Sequence, residues 1–220
     1  MIPQFGRSEL TARAVGSLLK WNSDVEQVLI VDDGSETKHV RDLQLLSFSR
    51  SEIIRLAENS GVTNAWNVAL ELVQTDFVIF LNNDVETTGP WCRLLTELLI
   101  DGRASITGVE WRVPDEIPLP LRLHFKLNRV LAGWCFALSR QDLLQQRGFD
   151  RSLRLYFSDT DLQLRLAQTS GSNALGIVSG LPLKHAAHQT TKHLATRAQQ
   201  WHRDRKCFLA KWQSANGITE

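Results

Sequence analysis

The chain has 220 residues, 43% hydrophobic and 22% charged, an ordinary globular balance with ample material for a core. Lys plus Arg number 25 against 24 Asp plus Glu, which argues against nucleic acid as a partner, because binding a phosphate backbone takes a clear basic excess. Three widely spaced cysteines, no apolar run near the ~20 residues that cross a bilayer and no charged-then-apolar opening point to free thiols in a cytoplasmic protein.

In chain order, residues 9–20 carry Leu10, Ala14 and Leu18 at helical spacing. Residues 27–31 form a short β-branched run that stops at Asp32-Asp33-Gly34-Ser35, which supplies turn chemistry. Residues 52–56 read as a second strand, and residues 61–73 as a helix with Ala65, Val68, Ala69 and Leu72 on one face. Residues 77–81 are continuously apolar, the pattern of a strand buried on both faces of a parallel sheet, and end at Asn82-Asn83-Asp84. Pro90 stands where a helix over residues 91–100 can begin.

The second half is less regular. Residues 113–120, with three prolines and two acids, read as a loop or insertion. A strand is expected over residues 129–138, a short helix over 141–146, and a helix over 157–167 whose start is marked by Ser158 and Asp159. Ile177-Val178 reads as a last short strand, and Leu194, Ala198, Trp201, Phe208 and Trp212 recur at helical spacing toward the end. Alternating strands and helices imply a mainly parallel sheet flanked by helices. With no internal repeat or low-complexity linker, one domain over residues 1–220 is expected, in three stretches: residues 1–100, residues 101–190 and a C-terminal helix over residues 191–220.

Ligands of open parallel sheets bind beyond the carboxyl ends of the strands. Two strands end there in acidic clusters, Asp32-Asp33 and Asn83-Asp84. Asp and Asn are common in turns, but crowded carboxylates at adjoining strand ends are costly unless a cation or a donor uses them. A nucleotide-sugar matches such an edge. Its diphosphate takes a divalent metal, a hard cation suited to Asp84; a pyrimidine N–H can donate to Asp33; Asn83 can reach ribose hydroxyls.

The runs Val28 to Ser35 (VLIVDDGS), Glu58 to Asn67 (ENSGVTNAWN) and Phe80 to Val85 (FLNNDV) resemble, in order and spacing, signatures of the family-two inverting glycosyltransferases of the GT-A fold. Ala132 to Leu138 (AGWCFAL) and Gly148-Phe149-Asp150 resemble that family's acceptor-side segment, and Tyr156 to Arg165 (YFSDTDLQLR) the segment carrying its catalytic base. The likeness spans about residues 2–212, and the Asn-Asn-Asp triplet is similar to the metal-binding motif of the rhamnosyltransferase-like bacterial subgroup.

The resemblance implies a single-domain GT-A fold that transfers a sugar from a UDP- or dTDP-sugar donor to a glycan or lipid-linked acceptor, with inversion and with Mg2+ or Mn2+. It puts Pro3, Arg7, Asp33, Gly61, Asn64 and Asn83 around the nucleotide, and Asp84 on the metal. His185 falls where members place a histidine near the metal or diphosphate, a surface-loop histidine being the alternative. Gly133, Trp134 and Asp161 would border the donor sugar or acceptor, and Asp159 would be the general base, with Asp161 as a structural partner of Arg165 at i+4. The pattern departs from the family in three places: only a stub of the first strand precedes Gly6, Ser158 replaces the glutamate before the base, and Asn83-Asp84 offers a single carboxylate. These departures keep open a non-catalytic or weakly active nucleotide-sugar-binding domain, while a nucleotidyltransferase would want a glycine-rich basic loop that residues 2–8 lack. The C-terminal stripe beside Lys192, Arg197, Arg203, Arg205 and Lys206 packs on the domain or, as the lesser reading, rests peripherally on a membrane.

Overall fold

The computed structural model describes residues 1–46, 48–113, 117–127, 129–171, 174–186 and 196–216. Strand β1 (Ile2–Gln4) leads into helix α1 (Ser8–Trp21), β2 (Val28–Asp32), α2 (Thr37–Leu46), β3 (Ser51–Arg55), α3 (Val62–Leu72) and β4 (Phe77–Leu81). Then come β5 (Val85–Thr87), α4 (Cys92–Ile100), β6 (Ile106–Trp111), α5 (Leu119–His124), β7 (Val130–Ser139) and α6 (Arg140–Gln145). Helix α7 (Ser158–Ser170), β8 (Leu175–Ile177), β9 (Leu183–His185) and α8 (Arg197–Asn216) follow.

Strands β1, β2 and β3 pair in parallel in that order, while β4, β7, β6 and β8 form a second set in which only β7 runs antiparallel to its neighbours. Met1 joins the two sets: its amine donates to Ile79 O at 2.7 Å and its carbonyl accepts from Leu81 N at 3.0 Å, the pattern of a parallel pairing opposite Phe80. The stub at Ile2 therefore lies between β2 and β4. A cavity of about 250 Å³ lies beside Met1, lined by Val28, Phe77 and Trp91 among others.

Both faces of the sheet are covered. One core gathers Leu29, Val31, Phe80 and Phe136 of the strands under Ala65, Trp66, Ala69 and Leu70 of α3 and Leu162 of α7. Here Trp66, Phe80, Phe136 and Phe149 meet ring to ring at centroid distances of 4.8–6.2 Å. The other face packs Ile2, Ile30 and Cys135 against Val15 and Leu18 of α1 and Leu95 of α4. A third cluster, Ile117, Leu121, Leu153, Phe157, Leu164, Phe208 and Trp212, docks α5, α7 and α8 together.

Several elements depart from the sequence reading. The buried face of α3 is Ala65, Trp66, Ala69 and Leu70, turned away from the expected one, and Leu72 is left 42% exposed. Helix α5 occupies the end of the segment read as a loop (residues 114–116 lie outside the described residues), and Ile177 belongs to β8, which β9 follows. Helix α8 turns its aromatic stripe inward, with Phe208 and Trp212 fully buried and Trp201 packed beside them. Phe208 and Trp212 of that stripe are taken up by the core; Lys192 and Leu194 lie outside the described residues. No helix among the described residues is long and apolar enough to cross a membrane. Cys92 and Cys135 are buried free thiols and Cys207 is partly exposed.

Candidate functional site

The carboxyl ends of β1, β2 and β4 meet on one edge. Parallel register sets Pro3 against Val31 and Gln4 against Asp32, so the loop after β1 lies beside the Asp32-Asp33 turn. Gly6 N donates to Ser35 Oγ at 2.8 Å, at a glycine with φ +62°. A buried polar triad fixes this corner: Thr11 Oγ1 donates to Gln4 Oε1 (2.7 Å), and Asn83 Nδ2 donates to Thr11 Oγ1 (3.1 Å). Gln4 and Thr11 were not singled out from the sequence, since a lone Gln or Thr carries no motif; three strand and helix ends bring them onto Asn83. Arg7 lies at the start of α1 with its guanidinium on Glu9.

Asp33 is buried, and both its oxygens hold the loop before α3. Oδ1 accepts from Ser60 N (2.7 Å) and Ser60 Oγ (2.9 Å), and Oδ2 from Gly61 N (2.8 Å). Asn64 Nδ2 closes the same loop on Ser60 Oγ at 2.9 Å. Gly61 has φ +94°, and a Cβ there would collide with Arg154, so glycine is needed on both counts. Asp32, the neighbour of Asp33, has Oδ2 on Ser35 N (3.2 Å) while the buried Oδ1 finds no hydrogen-bond partner among the described residues, a polar atom that asks for a ligand.

Beyond β4, Asn82 N still bonds Trp134 O at 2.9 Å, so the Asn82-Asn83-Asp84 turn leaves the sheet beside β7. Strand β5 then pairs with β9, Val85 opposite His185. That two-stranded ribbon closes the gap of about a hundred residues and sets His185 Nε2 3.2 Å from Asp84 Oδ1, without the orientation of a hydrogen bond. The Trp134 ring stacks on the imidazole at 4.7 Å and 23°. No cluster of three or more His, Cys, Asp or Glu side chains able to hold a metal occurs among the described residues. An imidazole nitrogen and a carboxylate oxygen converging in a largely buried corner fit a divalent cation that draws its remaining ligands from phosphate and water.

Next to Trp134, Gly133 makes room for Asp159: a Cβ at Gly133 would run into its carboxylate. Trp111, Ala132, Gly133, Trp134, Asp159 and Thr160 line a pocket of about 130 Å³. Burial pushes the Asp159 carboxyl up from its ordinary 3.8 to about 6, opposed by its bonds to backbone amides and aided by the nearby Asp161 charge. Contacts thus run without a break from Asp84 through His185, Trp134 and Gly133 to Asp159. Phe157, at the N-cap of α7, has φ +65° and gives no side-chain cap bond, while the Asp159 carboxylate itself bonds the first-turn amides of Asp159 and Thr160.

Asp161 is not among the residues that line this pocket. It has no exposure, and its carboxylate is occupied by Arg165 Nε (2.8 Å), Trp212 Nε1 (3.0 Å) and Lys211 Nζ (2.7 Å). It is the structural partner of Arg165 that the i+4 spacing implies.

A mannosyltransferase from Pyrobaculum calidifontis, solved with GDP-Man and Mn2+, aligns with a TM-score of 0.60 at 15% identity, over 80% of this chain and 53% of that one. GalNAc-T7 with UDP, GalNAc and Mn2+ aligns at 0.64 and 15%, over 84% and 42%, and S. aureus TarS at 0.58 and 19%, over 83% and 58%. At these identities the likeness shows the fold, that of the GT-A glycosyltransferases. In sequence the chain is 24% identical to Polypeptide N-acetylgalactosaminyltransferase 8 of Drosophila melanogaster over 64% of its length, and spans 30% of that protein. Residues 1–162, carrying β1 to β7 and the first turn of α7 with Asp159, match Glycosyl transferase family 2, and the chain belongs to that family.

Proposed function

We propose that this chain transfers a sugar from a UDP- or dTDP-sugar to a hydroxyl of a glycan or lipid-linked acceptor, with inversion, and that Asp159 is the general base. The observation that carries the reading is Asp159 itself. A carboxylate raised to about 6 opens on a pocket floored by Gly133 and Trp134, two contacts from the Asp84–His185 corner. A base is most effective when its pKa lies near the working pH, and burial supplies that here.

In a single displacement the acceptor oxygen bonds to the anomeric carbon while the bond from that carbon to the diphosphate breaks. The acceptor proton passes to Asp159, and the nucleoside diphosphate leaves. A divalent cation, Mg2+ or Mn2+, held by Asp84 and His185 would supply positive charge for the departing diphosphate. The Mn2+ in the mannosyltransferase and GalNAc-T7 structures supports a divalent metal, and the UDP of GalNAc-T7 supports a pyrimidine donor. Pro3, Arg7, Asn83 and the Asp33–Gly61–Asn64 loop would bind the nucleotide. With its oxygens already on Ser60 and Gly61, Asp33 would receive the base N–H through remaining lone pairs, and the unpartnered Asp32 Oδ1 is a second acceptor. Gly133 and Trp134 would carry the sugar, and the Asn82-Asn83-Asp84 triplet supports the rhamnosyltransferase-like subgroup.

A thermal-shift panel of nucleotide-sugars with Mn2+, Mg2+ or chelator tests the donor side. A ligand at a hundred times its Kd stabilises by about 2.7 kcal/mol, which such a scan resolves. Pyrimidine diphospho-sugars with metal should shift the melt and purine ones should not; equal shifts would sink the pyrimidine assignment.

A further inference from the structure

The residues that grip the start of α7 come from the far end of the chain. Asp204 of α8 is a fully buried carboxylate. Its Oδ1 accepts from Arg154 N (3.2 Å) and Gln200 Nε2 (2.7 Å), and its Oδ2 from Leu155 N (2.9 Å) and Tyr156 N (2.9 Å). Three successive backbone amides thus converge on one charge, immediately before the residue that begins the base-bearing helix. That residue, Phe157, holds φ +65° and ψ −2°, a conformation an aromatic residue keeps only when its surroundings impose it. The imposing groups are again on α8: Phe208 stacks on its ring at 5.2 Å and Trp201 packs at 6.1 Å. Trp201, Asp204 and Phe208 are spaced i, i+3 and i+7, one helix face.

The same turn reaches the donor side. Arg154 Nη2 donates to Asn59 O and Asn59 Oδ1, Thr63 N donates to Arg154 O at 3.3 Å, and Thr63 Oγ1 donates to Leu153 O. The residues bonded here, Asn59 and Thr63, bracket Ser60 and Gly61, which Asp33 holds.

We propose that Asp204 is a positioning residue: resting on the transfer reading above, it fixes the Arg154–Leu155–Tyr156 turn and, through Phe157, the place of Asp159 over the pocket. Helix α8, which lies outside the segment matching the family, is then an outside brace of the catalytic helix and sets turnover rather than donor affinity. A carboxylate suits the task because it accepts several N–H bonds at once, whereas an amide at the same place turns a donor toward donors.

The test is Asp204→Asn, with Gln200→Ala as a control that removes a bond to the same carboxylate and leaves the three amides. Turnover is referred to donor-binding sites counted by calorimetry, so an unfolded fraction drops out. Asp204→Asn should lower kcat per site at least tenfold with donor KM within about threefold, and Gln200→Ala should stay within about twofold in both. Amide exchange at Leu155 and Tyr156 should quicken at least tenfold in Asp204→Asn. Unchanged kcat per site, or kcat and donor affinity falling by the same factor, overturns the proposal. If the unmodified protein transfers no sugar, the transfer reading fails on its own. The exchange comparison then decides the clamp, with unchanged exchange at the two amides overturning it.

Discussion

Asp159 answers two opposed demands, since burial gives it a useful pKa and costs the fold stability. Its carboxyl titrates near 6 in the folded chain against 3.8 ordinarily, so the native state holds the proton more tightly. Stability therefore falls as pH rises from about 4 to about 6, and the loss persists above that. Asp159→Asn should gain on the order of 1–3 kcal/mol in urea unfolding at pH 7 and almost nothing at pH 4. Equal gains at both would show that the carboxyl is not shifted. The rate follows the opposite course: kcat should fall as pH drops below about 6, because the protonated form accepts nothing. Asp84→Ala should abolish the divalent-metal dependence of donor binding measured by calorimetry, and His185→Ala should weaken it. A donor affinity still metal-dependent in Asp84→Ala would remove the cation from this corner. Gly133→Ala, which forces a methyl into the Asp159 carboxylate, should cut turnover far more than donor affinity. Asp159, Asp84 and His185 are legible in the sequence because each closes a motif or falls at a family position. Asp32 Oδ1 and the Gln4–Thr11–Asn83 triad are not, because a missing or satisfied partner exists only once distant ends have met.

Elements with long apolar runs are legible and short ones are not. Strands β2 and β4 announce themselves because they are buried along most of their length. Three-residue β5 and β9 show no period at all, yet their pairing is what carries His185 to Asp84. Helix α3 is legible as a helix, but its face is set by Trp66, whose four-ring cluster outweighs the Val68 and Leu72 stripe. The motif residue Asn67 also gains its meaning only in three dimensions. Its amide bonds Phe149 reciprocally, Nδ2 to Phe149 O and Oδ1 from Phe149 N, each at 2.9 Å and buried. Asn67→Ala strands two buried backbone groups and should cost about 2–4 kcal/mol in urea unfolding with an unchanged m-value. A loss under 1 kcal/mol would mean that water replaces the amide. For α8 the stripe was readable and its destination was not: Trp201, Phe208 and Trp212 would suit a membrane or a core, and Leu153, Phe157 and Leu164 decide for the core.

Across the whole molecule, the strand order β3-β2-β1-β4-β7-β6-β8, joined through Met1, puts the turns proposed for the nucleotide and the helix carrying the proposed base on either side of β4 and β7. Residues 1–100 supply Asp33, Asn83 and Asp84; residues 101–190 supply Gly133, Trp134, Asp159 and His185; α8 braces the turn before α7 from outside. The fold class follows from alternating strands and helices, whereas the union of the two strand sets through Met1 rests on two hydrogen bonds that no sequence pattern encodes. The central claim is that this assembly is a transferase with Asp159 as its base. The most direct measurement is sugar transfer and donor affinity, side by side, in the unmodified protein and Asp159→Asn, with Asp161→Asn as comparison. Removing a general base typically costs about 10²–10⁴-fold, so Asp159→Asn should lose turnover on that scale with donor affinity within about threefold. Near-normal turnover in Asp159→Asn, with or without a loss in Asp161→Asn, would contradict the account.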